Sequence, residues 1–171
     1  RVTPTKPLTA QDVNIFLMAK LKKHEIKPPY ILVAHSYGAM YSMYFARKYP
    51  ELVKGVLLVD PVPNNFEWQD LMKKSNKKNP EWRYQMLGFE KTKTQINSLP
   101  PLSDKIPIII LSSSQKEKGA PIKGDWVEQQ KQWLNKNPDS KLINVDSGHF
   151  IQMEHPDVVC EQIKKLVEES R

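Results

Sequence analysis

One cysteine, six glycines and no long apolar run set the first limits on this 171-residue chain. A lone Cys160 cannot make an internal disulfide, so the fold must rest on a buried core, and one thiol fits either redox compartment. Its place in the helical pattern Val158-Val159-Cys160 reads as a small packed residue. Nowhere do about 18 apolar residues follow one another, which argues against an integral membrane segment. Arg1 to Leu8 also lack the apolar stretch of a signal peptide, and the compartment stays open. A basic stripe interleaved with aromatics is missing too. The net charge is +7 and the pI about 9.4, but much of the surplus sits in lysines scattered over helix faces, such as Lys20, Lys22, Lys23, Lys164 and Lys165. No nucleic-acid partner is indicated. The charge reads first as a solvated surface, and second as attraction to acidic membranes or anionic partners.

What is present suffices for one domain: 39% of the residues are hydrophobic, enough for a sizeable core. Val13, Phe16, Leu17 and Leu21 recur at helical spacing between Thr9 and Glu25, with Thr9 as N-cap and Pro28-Pro29 as the stop. Tyr30 to Ala34 is a short apolar run suited to a buried strand, and Ala39 to Tyr49 reads as a helix ending before Pro50. Further strands are expected at Gly55–Asp60, Ile106–Leu111 and Lys141–Val145, with helices at Trp126–Leu134 and around Val159, Ile163, Leu166 and Val167. The polar, aromatic-bearing stretch of about 62–104 interrupts this alternation and reads as a short helical lid inserted in a single domain, 1–171. Uninterrupted apolar strands alternating with helices indicate an α/β fold, a mostly parallel sheet covered on both faces. Ligands of such sheets bind at the carboxyl ends of the strands. Ser36, Asp60 and His149 all follow strands.

Ser36 lies in Ala34-His35-Ser36-Tyr37-Gly38, a G-x-S-x-G pattern with alanine first, set between a strand and a helix. Small residues are needed because the turn is tight and forces the serine into strained geometry. Its hydroxyl then stands at the start of the helix, where the backbone N–H of Tyr37 can meet an oxyanion. His149, in Asp146-Ser147-Gly148-His149-Phe150, follows the last strand, where a loop can carry an imidazole over the serine as base and then acid. The competing readings are a serine in an ordinary strand-to-helix turn and a histidine satisfied within its own loop.

The stretch from Pro29 through Gly38 to Tyr49-Pro50, Val59-Asp60-Pro61, and Ser147-Gly148-His149-Phe150 through His155-Pro156 together resemble the α/β-hydrolase fold family, over nearly the whole chain. The resemblance implies a serine hydrolase, esterase- or lipase-like, acting on a small-molecule ester through an acyl-enzyme, with no metal and no organic cofactor. In chain order such members run nucleophile, acid, histidine. Most carry the acid after the strand that follows the lid, but Ser112-Ser113-Ser114-Gln115-Lys116-Glu117 offers no nearby aspartate. Asp60 matches the alternative location used by some lipases, with Glu117, Asp125 and Asp104 as further candidates. An Asp before Pro61 is also a common turn initiator. His35, Phe66, Trp68, Trp82 and Phe150 are candidates for lining an apolar substrate pocket, with Tyr84, Met86, Leu87 and Phe89 nearby; the lid aromatics serve equally well as the lid's own small core.

The resemblance also implies several strands, and a second oxyanion donor, ahead of the first helix. The chain has no such segment, so it is expected to be a fragment, a truncated form or one half of a cleaved protein. The strand Tyr30–Ala34 would then present an open edge, to be covered by another segment or a second copy. A different class stays open as well: a non-catalytic protein that keeps the pocket and binds a small apolar ligand without turning it over.

Overall fold

A computed structural model describes residues 6–66, 80–115 and 125–169. Helix α1 (Ala10–Lys23) starts from a Thr9 N-cap whose side chain accepts from the Asp12 amide while the Asp12 carboxylate takes the Thr9 amide. This reciprocal capping satisfies two of the donors left open at a helix start. Strand β1 (Tyr30–His35), helix α2 (Gly38–Lys48), a 3-10 turn (Pro50–Leu52) and strand β2 (Val53–Val59) follow. Helix α3 (Pro80–Asn97) leads to β3 (Ile108–Ser113); α4 (Trp126–Gln130) and a second 3-10 turn (Lys131–Trp133) precede β4 (Lys141–Val145). The chain closes with the single turn α5 (Ile151–Glu154) and α6 (Pro156–Glu169).

The four strands form one parallel sheet in the order β1-β2-β3-β4. Because side chains alternate along a strand, the central strands feed two cores. Val56, Leu58, Ile108 and Ile110 face α2 and its neighbours, packing with Met40, Met43 and Phe45. Leu57, Val59, Ile109 and Leu111 face the other way, onto Val159 and Leu166 of α6. Gly55 lets α6 approach: a Cβ there would stand 3.0 Å from Leu166. The expected α/β architecture with helices on both faces is therefore present.

Three local expectations need correction. Phe16 and Leu17 do not bury α1; they are 64% and 37% exposed, while Ala10, Asn14 and Met18 face the body. Asn14 is tolerated there because its amide bridges the carbonyls of Ala10 and Tyr41. Cys160 is exposed rather than packed, since α6 turns Val159, Gln162 and Leu166 inward. The expected helix 126–134 is a short α-helix that tightens into a 3-10 turn. Within the expected lid, α3 packs on the body, with Ala10 N–H donating to Thr92 Oγ1 at 2.9 Å. Among the described residues, no helix is long and apolar enough to cross a membrane.

Candidate active site

Ser36, Asp60 and His149 each sit beyond the carboxyl end of a strand. Ser36 follows β1 with φ 53°, the left-handed region that non-glycine residues seldom occupy. Its amide donates to Val59 O at 2.9 Å and its carbonyl accepts from Val62 N–H at 3.2 Å. The turn is thereby tied to β2 and to the chain leaving it, which holds the strained backbone in place. The steric need for a glycine expected at Gly38 is not met: a Cβ there would lie 3.7 Å from that of Ala34, an ordinary van der Waals contact. Tyr37 is the N-cap of α2, and its N–H meets no backbone acceptor among the described residues.

Asp60 follows β2, also at positive φ (39°), a conformation aspartate tolerates better than most residues. It is almost fully buried. One carboxylate oxygen, Oδ1, accepts from three donors: Gln130 Nε2 at 2.9 Å, the Trp126 indole at 3.0 Å and the Ser113 amide at 3.2 Å. The other, Oδ2, lies 2.6 Å from His149 Nδ1. Burial pushes this carboxyl upward, but the hydrogen bonds from His149, Gln130, Trp126 and Ser113 outweigh it and hold Asp60 below the ordinary carboxylate range. An ionised Asp60 accepts only, so His149 carries its proton on Nδ1. Its Nε2 is then the acceptor facing Ser36 Oγ, 3.0 Å away.

The loop bearing His149 is fixed from two sides. Below it, Glu154 Oε2 accepts from the Gly148 amide at 3.1 Å and from Ser147 Oγ at 3.0 Å. Above it, the His35 ring approaches the His149 ring to 4.5 Å between centroids and places Nε2 2.9 Å from the His149 carbonyl oxygen. Burial lowers the His35 pKa, which keeps that ring neutral against its neighbour.

Of the other acid candidates, Glu117 lies outside the described residues. Asp125 caps α4, accepting from Val127 and Glu128 amides, and Asp104 accepts from the Lys136 amide. Neither has a described hydrogen bond to His149. Among the pocket candidates, Phe150 is 52% exposed beside the His149 ring. Phe66 is buried edge-on against Trp126, and Phe89 is buried against the Tyr37 ring. Trp68 lies outside the described residues, as does the side chain of Trp82. Trp126 and Gln130 were not singled out from the sequence. Their spacing of four on one helix face, with a glutamine among apolar neighbours, was the available signal.

Comparison with known proteins agrees with this architecture. A family model described as alpha/beta hydrolase fold matches residues 7–100. The chain belongs to the α/β-hydrolase fold family. The uncharacterized protein YqjL of Bacillus subtilis is 24% identical over 157 residues, covering 84% of this chain and 62% of its own length. The chain thus spans less than two thirds of that relative. Among solved structures, a thermophilic esterase from Thermogutta terrifontis superposes with TM-score 0.65 at 18% identity, over 99% of this chain and 75% of that one. The enol-lactonase from Burkholderia xenovorans superposes with TM-score 0.62 at 12% identity, over 96% and 75%.

Proposed function

We propose that the chain is a serine hydrolase that cleaves a carboxylic ester with an apolar acyl or alcohol part through an acyl-enzyme on Ser36. The observation that carries the reading is the continuous relay Ser36 Oγ, His149 Nε2, His149 Nδ1, Asp60 Oδ2, with separations of 3.0 and 2.6 Å. Both lie within the reach that proton transfer and tautomer control need.

In this mechanism His149 Nε2 takes the hydroxyl proton as Ser36 Oγ attacks the ester carbonyl. The resulting imidazolium is held by the Asp60 carboxylate, which the three donors on Oδ1 keep ionised. The oxyanion forms at the start of α2, within range of the Tyr37 N–H and the positive end of the helix. His149 then gives its proton to the departing alcohol, and a water deprotonated by the same nitrogen releases the acid. Phe150, exposed beside His149, offers an apolar surface for one side of the ester. The solved structures it resembles include an esterase and an enol-lactonase, whose chemistry is of the same acyl-transfer kind.

The test is labelling with a fluorophosphonate, read by intact mass and by the labelled peptide, followed by turnover of p-nitrophenyl esters of graded chain length. A single adduct on Ser36, absent in Ser36→Ala, is expected, together with an initial burst of p-nitrophenol. An unlabelled protein that nevertheless binds an apolar ester without product would overturn the hydrolase reading in favour of a binding protein.

A further inference from the structure

His35 stands at the last position of β1, immediately before Ser36, and its ring does not point away from the site. It crosses to the loop after β4, 114 positions further along the chain, and ends 2.9 Å from the carbonyl oxygen of His149. A carbonyl only accepts, so His35 Nε2 must carry the hydrogen. The residue before the candidate nucleophile therefore holds the main chain of the candidate base, while that base's side chain reaches back to the nucleophile. The result is a closed circuit of two hydrogen bonds between adjacent residues of one turn and a single residue of another. Ring packing reinforces it, with His35 4.5 Å from His149 and 5.4 Å from Phe150.

We infer that His35 is a positioning residue: its Nε2–H fixes the His149 backbone so that the imidazole stays in line between Ser36 Oγ and Asp60 Oδ2. The physical need is clear from the loop. Glu154 ties down Ser147 and Gly148, and α5 begins at Ile151, so His149 lies between two anchored segments. A rotation of its peptide would swing the ring off one partner or the other. Misplacement by about 1 Å can cost about a hundredfold in rate. The neutral state of His35 suits the task, because it supplies the donor without placing a second charge beside the imidazolium that forms on His149. This inference deepens the proposed function and rests on its assignment of Ser36, His149 and Asp60.

Three variants separate the contributions. His35→Phe keeps a ring against His149 and Phe150 but removes the donor; His35→Gln restores an N–H at similar reach without a ring; His35→Ala removes both. Ester turnover is expected to fall about ten- to a hundredfold in kcat for His35→Phe, with KM within about twofold, and to recover most of the loss in His35→Gln. A second readout does not depend on turnover: the downfield proton NMR resonance of the short His149 Nδ1–H to Asp60 bond. It is expected in the parent protein and in His35→Gln, and broadened or lost in His35→Phe. If His35→Phe keeps both kcat and that resonance, or if His35→Gln is as impaired as His35→Phe, the positioning role is refuted. If the parent protein neither turns over esters nor labels on Ser36, the hydrolase reading fails, and the resonance alone then decides whether His35 sets the ring. Unchanged far-ultraviolet circular dichroism and melting temperature certify that each variant is folded.

Discussion

At Asp60 two opposed effects meet on one side chain. Burial favours the neutral acid, and four hydrogen bonds favour the carboxylate; the direction of the pKa shift says that the hydrogen bonds win. The sign of the pH dependence follows. An unfolded aspartate titrates at about 3.9, and in the native state this group titrates lower. Its contribution to stability is therefore fully present above about pH 4 and lost as pH falls through the lower, native value. Thermal melts of the parent and Asp60→Asn between neutral and acidic pH are expected to show a gap that narrows below about pH 4, since asparagine has no such titration. Near neutral pH the same variant is expected to lose about 10,000-fold in kcat, the scale known for losing the tautomer-setting acid of such a relay. An Asp60→Asn enzyme within about tenfold of the parent would transfer the acid's role to another group. How far this constellation was legible in the sequence varies residue by residue. Ser36 and His149 follow from short motifs placed after strands. Asp60 was reached from its place at a strand end, against three competitors. Its donors were not reached, because Ser113 at the end of β3 and the α4 pair Trp126 and Gln130 lie far from Asp60 in sequence, and their convergence on one carboxylate oxygen is a property of the fold. Sequence also read the place after β3 as empty of an acid; there the Ser113 amide serves the Asp60 carboxylate instead.

Among the elements, α3 lies in the stretch expected as a lid and packs onto the body. It carries Phe89 against the Tyr37 ring, so its seating bears on the turn that follows Ser36. Gly88, one residue earlier, is where the helix meets the chain at Leu8. A Cβ at Gly88 would overlap the Leu8 carbonyl oxygen, a backbone atom that has no side-chain freedom to yield. Helix propensity alone would make Gly88→Ala stabilising by about 1 kcal/mol. Steric exclusion is expected to win, because overpacking against rigid neighbours costs about 1–3 kcal/mol. Gly88→Ala should therefore lower the denaturant midpoint, and a raised midpoint would mean that α3 does not press on Leu8 in solution. The glycine gives no such signal in sequence, where a helical glycine reads only as a weak point. The same limit explains α1. Its apolar positions have helical spacing, which identified the helix, but the packing direction was set by Ala10 and Asn14 against α2 and α3, and Phe16 was left outside.

For the molecule as a whole, the strand order leaves β1 at the border of the sheet, paired through β2 alone among the described residues. This is the strand that precedes Ser36, so the candidate turn hangs from a border strand of the sheet. Val33, in the middle of β1, is 46% exposed, and Ile15 and Phe16 of α1 are exposed as well. An apolar strand with unpaired backbone groups along one side is a template for another strand. The expected outcome for this chain in solution is concentration-dependent association through that border, visible as a rise in mean mass by light scattering. Val33→Lys should suppress it, since an outward charge on an edge strand opposes pairing without touching the buried face that Ala34 contributes. Association would also be expected to steady Ser36, so fluorophosphonate labelling should quicken with protein concentration in the parent and not in Val33→Lys. A monodisperse monomer at every concentration would mean that β1 holds the Ser36 turn through its bonds to β2, with Ser36 N–H on Val59 O and Val62 N–H on Ser36 O as the ties that carry it.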